Sequence, residues 1–175
     1  MISLHLLTEL YRENPLQIVE KYAQWAEAYQ EDQISIVFDT MWEGTAKVAY
    51  KIAYEIHDKS PDTVVKVFNI SKADKNEVMT EVFKSKAIVV GSPTVGNGIL
   101  SSVAGWMEFL RQLKFKNKKA AAFGCYGWSG ESVKILKEQL KTAGFDVIDE
   151  EVRLLWNPKE EDTETINALV EGLLN

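Results

Sequence analysis

The chain has 175 residues, 46% hydrophobic and 26% charged, and 20 Lys and Arg stand against 26 Asp and Glu for a net charge of −6. That length suits one domain, at about 150 residues per domain, and the composition is that of a folded chain, not a disordered one. The acidic balance argues against a nucleic-acid surface, which needs a basic patch, and no apolar run approaches the ~18 residues of a membrane span.

Asn14-Pro15 pairs an N-cap with proline at the first helical position. Ile18, Val19, Tyr22, Ala26 and Tyr29 then recur at helical spacing, so residues 15–30 are predicted to form a helix with one buried face. Residues 33–38 read as a strand, and Val48, Ala49, Ile52, Ala53 and Ile56 stripe the next helix. Residues 64–68 are a second strand. Asp74 and Glu77 have capping-box spacing ahead of the apolar face Val78, Met79, Val82 and Phe83. Residues 87–90 are apolar on both faces, as a central parallel strand is. Val103, Trp106, Met107, Leu110 and Leu113 mark a helix, and residues 120–123 a fourth strand. Val133, Leu136 and Leu140 mark another helix ending at Gly144, a C′ residue. Residues 145–148 begin a fifth strand, and Asn157-Pro158 opens a last helix carrying Ile166, Leu169, Val170 and Leu173.

The result is a leading segment, residues 1–32, whose extra helix packs on a domain of residues 33–175 built from five βα units. Strands alternating with helices of this length imply an α/β fold with a parallel sheet and right-handed crossovers. Such sheets bind ligands beyond the carboxyl ends of their strands. The single cysteine, Cys125, allows no internal disulfide and suits a reducing compartment, so a cytoplasmic location is expected. His5 and His57 are too few for a histidine-rich metal cluster. Met1 to Leu10 lacks a basic n-region and carries Glu9, unlike a signal peptide.

Three loops therefore matter. After the first strand come Asp39, Thr40, Met41, Trp42, Glu43, Gly44 and Thr45. Two hydroxyls and the free N–H groups of a helix start are equipment for a phosphate monoester. The plainer alternative is a polar loop with Thr45 as an N-cap. After the third strand come Gly91, Ser92, Pro93, Thr94, Val95, Gly96, Asn97 and Gly98, a backbone cradle for a flat ligand or simply a long turn. After the fourth come Gly124, Cys125, Tyr126, Gly127, Trp128, Ser129 and Gly130. Tyr and Trp on such a loop suit stacking on a planar ligand, unless Trp128 folds back as a plug. A planar ring joined to a phosphate fits all three, with flavin mononucleotide (FMN) the leading candidate.

With these residues in view, the chain resembles flavodoxin-like domains, and most closely the FMN domain of flavodiiron proteins (A-type flavoproteins). The motifs are Asp39-Thr40-Met41-Trp42 with Gly44-Thr45, then Gly91-Ser92-Pro93-Thr94 with Asn97-Gly98, then Phe123-Gly124 with residues 126–131. The leading stretch through Tyr22 and Trp25 also resembles the segment that enters this domain in those proteins. The resemblance implies a three-layer sandwich with strand order 2-1-3-4-5, non-covalent FMN and an oxidoreductase's electron-transfer role. It implies that Thr40, Thr45 and the intervening amides hold the phosphate. Residues 93–98 and 126–130 would line the flavin ring, with Trp42, Tyr126 or Trp128 flanking it. A backbone group of Gly96, Gly98 or Gly127 would answer protonation of the flavin on reduction.

The resemblance further implies a redox partner, either a rubredoxin-like donor or a di-iron domain, and a homodimer. This chain carries no complete di-iron site, so it is an FMN domain of an oxygen or nitric oxide reductase or a free-standing relative. His5 lies where the family places a metal ligand, at a different spacing, and is read as a surface residue. Cys125 stands where the family has Ser and is read as a small residue near the ring. Glu43 beside a phosphate is unfavourable unless it points to solvent. A flavin-dependent NAD(P)H quinone-type reductase would use the same loops, and a flavin-free interaction module is the non-catalytic alternative. A phosphorylatable receiver would need an aspartate ending the third strand, a P-loop would need GxxxxGK[ST], and a dinucleotide fold would need GxGxxG on the first helix; none is present.

Overall fold

Strand β1 (Glu31–Phe38) buries Ile34, Ile36 and Phe38 on one face and Ser35 and Val37 on the other. Only a strand covered on both sides allows that. The computed structural model of the chain describes residues 29–175 together with Leu16, Val19, Glu20 and Ala23. Five parallel strands form one sheet in the order β2-β1-β3-β4-β5, with β2 (Val64–Asn69), β3 (Ser85–Gly91), β4 (Lys119–Tyr126) and β5 (Asp146–Leu155). This is the expected flavodoxin-like order.

Helices α1 (Gly44–Lys59) and α5 (Thr163–Leu174) cover one face, packing Ile52, Ile56, Ile166 and Leu169 against Ile34, Ile36 and Val89. Helices α2 (Lys75–Lys84), α3 (Ser101–Leu113) and α4 (Ser132–Ala143) cover the other, packing Val78, Trp106 and Leu136 against Val37, Ile88 and Val90. The chain leaves β1 toward β2 on one side and returns to β3 on the other. The switch point thus falls between β1 and β3, where their carboxyl ends diverge.

Local signals in the sequence set the helix ends. The Asp74 carboxylate caps α2 by accepting from the N–H groups of Asn76 (2.9 Å) and Glu77 (3.0 Å). Gly144 ends α4 at φ 97°, its amide bonding Lys141 O and the Phe145 amide bonding Leu140 O. A side chain there would lie 2.1 Å from Phe115 O, so only glycine fits.

Other expectations are corrected. β4 runs three residues past Phe123, so Gly124, Cys125 and Tyr126 finish a strand instead of opening a loop. β5 is ten residues long; its register slips where Ala120 and Ala122 face Val147 and Glu151. The run Asp149-Glu150-Glu151 hides this edge strand from a hydrophobic pattern. The last helix begins at Thr163 after a 3₁₀ turn at Glu160–Asp162, so Asn157-Pro158 sits in the loop before it. Leu16, Val19, Glu20 and Ala23 are helical, but Val19 is exposed where a buried face was expected. His5, Asn14-Pro15, Ile18, Tyr22, Trp25 and Ala26 lie outside the described residues.

Candidate functional site

The site begins where β1 ends. Glu43 takes a left-handed φ of 62°, which turns the chain into α1, and the Lys47 amide then bonds Glu43 O at 2.9 Å. Glu43 itself is exposed, while Gly44 and Thr45 are buried. Thr45 is inside the helix and does not cap it. The first amides of α1 have no acceptor within the helix and carry its positive pole. Beside them, Thr40 Oγ1 and Thr45 Oγ1 are both buried without a hydrogen-bond partner. A buried unpaired hydroxyl costs about 1–3 kcal/mol. Two of them at one helix start make sense if an oxyanion receives them. Lys47, the nearest cation in sequence, is turned to Asn157 Oδ1 at 3.2 Å.

The β3–α3 loop is tied down by its backbone. The Thr94 amide donates to Cys125 O at 2.9 Å, and Thr94 Oγ1 donates to Ser132 Oγ at 3.0 Å. Ser92 is fully buried; its hydroxyl donates to Pro93 O and accepts from the Leu100 amide. Ser92 therefore shapes the loop from within. Val95 and Gly98 exchange both backbone bonds, at 3.1 and 2.9 Å, around Gly96 and Asn97. With φ of 54° and 61° those two residues make a tight hairpin turn.

The third wall comes from β4 and β5. The Trp156 amide donates to Tyr126 O at 2.8 Å, continuing the ladder past the strand ends. A Cβ on Gly127 would lie 2.8 Å from the Trp156 ring, and one on Gly44 would lie 2.5 Å from Trp156 O. Both glycines therefore let Trp156 close in over the first loop. The Arg153 guanidinium lies 5.9 Å from the Tyr126 ring centroid. Burial pushes the Cys125 thiol up to about 11, with the neighbouring Thr45 hydroxyl acting in the opposite direction. That suits a small buried residue, not a nucleophile.

Together these segments enclose a cavity of about 280 Å³, close to the size of a small-molecule site. Of the predicted residues, Thr40, Met41, Trp42, Gly44, Thr45, Pro93, Thr94, Val95, Cys125, Tyr126 and Gly127 line it. Glu43, Ser92, Gly96, Asn97, Gly98, Trp128, Ser129 and Gly130 do not. Trp128 is 96% exposed, so it does not fold back as a plug. It joins Trp42 (82% exposed), Met41 and Trp156 among the exposed apolar side chains of these loops. Trp156 and Asn157 also line the cavity and were not foreseen. Their signal was their place just after β5, which the charged stretch within that strand concealed.

The residues present fit FMN. Orphaned hydroxyls and free helix amides suit its phosphate, and an apolar opening with exposed indoles suits its ring. The family pattern named Flavodoxin matches residues 36–168. The chain belongs to the flavodoxin family. FMN is the cofactor of this flavodoxin-type domain. The anaerobic nitric oxide reductase flavorubredoxin of Vibrio vulnificus is 48% identical to it over 149 residues, 85% of this chain and 30% of that protein. Among solved structures, the rubredoxin oxygen:oxidoreductase of Desulfovibrio gigas superposes with a TM-score of 0.84 at 34% identity, over 91% of this chain and 39% of that one. The flavodiiron protein of Giardia intestinalis gives 0.79 at 26% identity, over 91% and 40%. The chain is thus similar to the flavodoxin part of these longer proteins, and it spans about a third of the length of the relatives it matches.

Proposed function

We propose that the chain is the electron-transferring FMN domain of a flavodiiron-type reductase of oxygen or nitric oxide. The observation that carries this is the pair of unpartnered hydroxyls, Thr40 and Thr45, at the start of α1 and in the wall of an open cavity. When bound, FMN accepts electrons and passes them on, while the protein binds, orients and shields it. In this reading Thr40, Thr45 and the first amides of α1 hold the phosphate. Pro93, Thr94 and Val95 on one side and Tyr126, Gly127 and Trp156 on another line the ring. Of the three candidate glycines, Gly127 is the one that lines the cavity, and both backbone groups of Gly98 are already bonded to Val95, so Gly127 is assigned to answer flavin protonation.

Relatives named flavorubredoxin and rubredoxin oxygen:oxidoreductase support a rubredoxin-type electron donor and a di-iron domain as acceptor. Residues 1–32 are the leading segment of the domain in this reading, and a homodimer in the cytoplasm is its assembly and place. Among the described residues no helix is long and apolar enough to cross a membrane.

The test is anaerobic mixing of the FMN-loaded chain with a reduced rubredoxin or with NADH alone. Fast, saturable bleaching of the flavin band by rubredoxin, with none by NADH, is the expected result. Direct bleaching by NADH and none by rubredoxin would replace this reading with an NAD(P)H-dependent reductase.

A further inference from the structure

Asp39 is buried, with 8% of the residue exposed, at the carboxyl end of β1, one residue before the proposed phosphate loop. Its Oδ1 accepts from the Thr40 amide at 2.8 Å and from Ser71 Oγ at 3.0 Å. Ser71 shares its single hydroxyl proton with Asn69 Oδ1, 2.7 Å away. The Asp39 Oδ2 accepts from Ser102 Oγ in the first turn of α3. The Asp39 amide in turn donates to Gly91 O at 3.2 Å, where β3 ends. One side chain thus joins the phosphate loop, the β2–α2 loop and the helix that follows the ring-lining loop.

A carboxylate is the wrong charge to keep beside a site for a dianion. Its geometry supplies the reason for its presence. By taking the Thr40 amide it fixes the first peptide of the loop, and it leaves Thr40 Oγ1 as the buried group without a partner in the cavity wall. Resting on the FMN reading above, we propose that Asp39 is a positioning residue for the phosphate. It sets the orientation of Thr40, so the site's preference for a phosphorylated over an unphosphorylated flavin depends on it, although it touches neither.

Riboflavin has the ring of FMN without the phosphate, so it separates this role from general support of the fold. The dissociation constants of FMN and riboflavin are measured by flavin fluorescence for the wild type, Asp39→Ala and Asp39→Asn. Asp39→Ala is expected to weaken FMN about tenfold or more, the cost of one misplaced hydrogen bond to a charged group. Riboflavin affinity should stay within about twofold, because no phosphate contact is involved. Asp39→Asn keeps an oxygen acceptor for the Thr40 amide and should restore most of the FMN affinity. If Asp39→Ala does not fold, Ser102→Ala removes one anchor only and should lower the FMN-to-riboflavin preference in the same sense. Equal losses for both flavins, or no loss for FMN, would overturn the proposal while the FMN reading stands. A folded wild type that binds no FMN would overturn the FMN reading, and this proposal with it.

Discussion

Replacing Thr45 with Val should move stability and flavin affinity in opposite directions. Thr45 is 1% exposed, and its hydroxyl has no nitrogen or oxygen partner, only the weak Cys125 thiol beside it. Val has the same shape without the hydroxyl, so the cavity and helix α1 are unaltered to first order. Removing an orphaned buried hydroxyl should recover about 1 kcal/mol of its desolvation penalty in the empty protein. For a domain of this size that raises the melting temperature by about 2–4 °C. The same hydroxyl is assigned to the phosphate, and a hydrogen bond to a charged group contributes about 1.5–3 kcal/mol. At about 1.4 kcal/mol per decade, FMN should bind roughly 10- to 150-fold more weakly. Differential scanning fluorimetry without flavin and fluorescence titration with FMN read the two effects, and Thr45→Ser, which keeps the hydroxyl, is the control. A Thr45→Val protein that melts lower and binds FMN as tightly as the wild type would refute the reasoning.

The remaining expectations concern neighbouring groups. Gly44→Ala places a Cβ 2.5 Å from Trp156 O and 3.4 Å from Cys125 Sγ, so it should push the β5–α5 loop outward and weaken FMN binding, measured by titration. Burial raises the Cys125 thiol from its ordinary 9.0 to about 11, which lowers its thiolate fraction about a hundredfold at neutral pH. Iodoacetamide should therefore label the native protein at least that much more slowly than the urea-unfolded chain, and equal rates would contradict the burial argument. Lys118 is 3% exposed and donates to the carbonyls of Tyr29, Phe83 and Ser85 at 3.1, 2.9 and 2.6 Å, and burial lowers its ammonium to about 8. Between about 8 and the ordinary 10.5 the unfolded chain holds a proton that the folded chain does not, so this group's contribution to stability rises with pH in that window. The stability gap between wild type and Lys118→Met in urea unfolding should widen from pH 8 to pH 10, and a gap that narrows would count against the sign.

What could be read from the sequence was what depends on near neighbours. The run Ala87-Ile88-Val89-Val90 announces a strand covered on both faces, and Asp74 and Gly144 announce helix ends, because each of these features is decided within a few residues. The first loop could be read as a candidate phosphate site because hydroxyls next to a helix start are a local pattern. Trp156 and Asn157 were not, because their strand is carried through Asp149-Glu150-Glu151 by pairing with β4, a contact distant in sequence. Ser92 illustrates the converse. Its position at a strand end suggested a ligand group, but its hydroxyl is engaged by Pro93 O and the Leu100 amide, and only the folded loop reveals that. The unpaired state of Thr40 and Thr45 is likewise a property of the whole surrounding structure.

The most direct test of the account is the absorption spectrum of the purified, folded chain after incubation with excess FMN and exhaustive dialysis, with the bound flavin quantified and identified by mass. The account predicts a retained flavin spectrum at about one FMN per chain, one for this cavity. A folded protein that emerges colourless would contradict the central claim that this cavity is an FMN site.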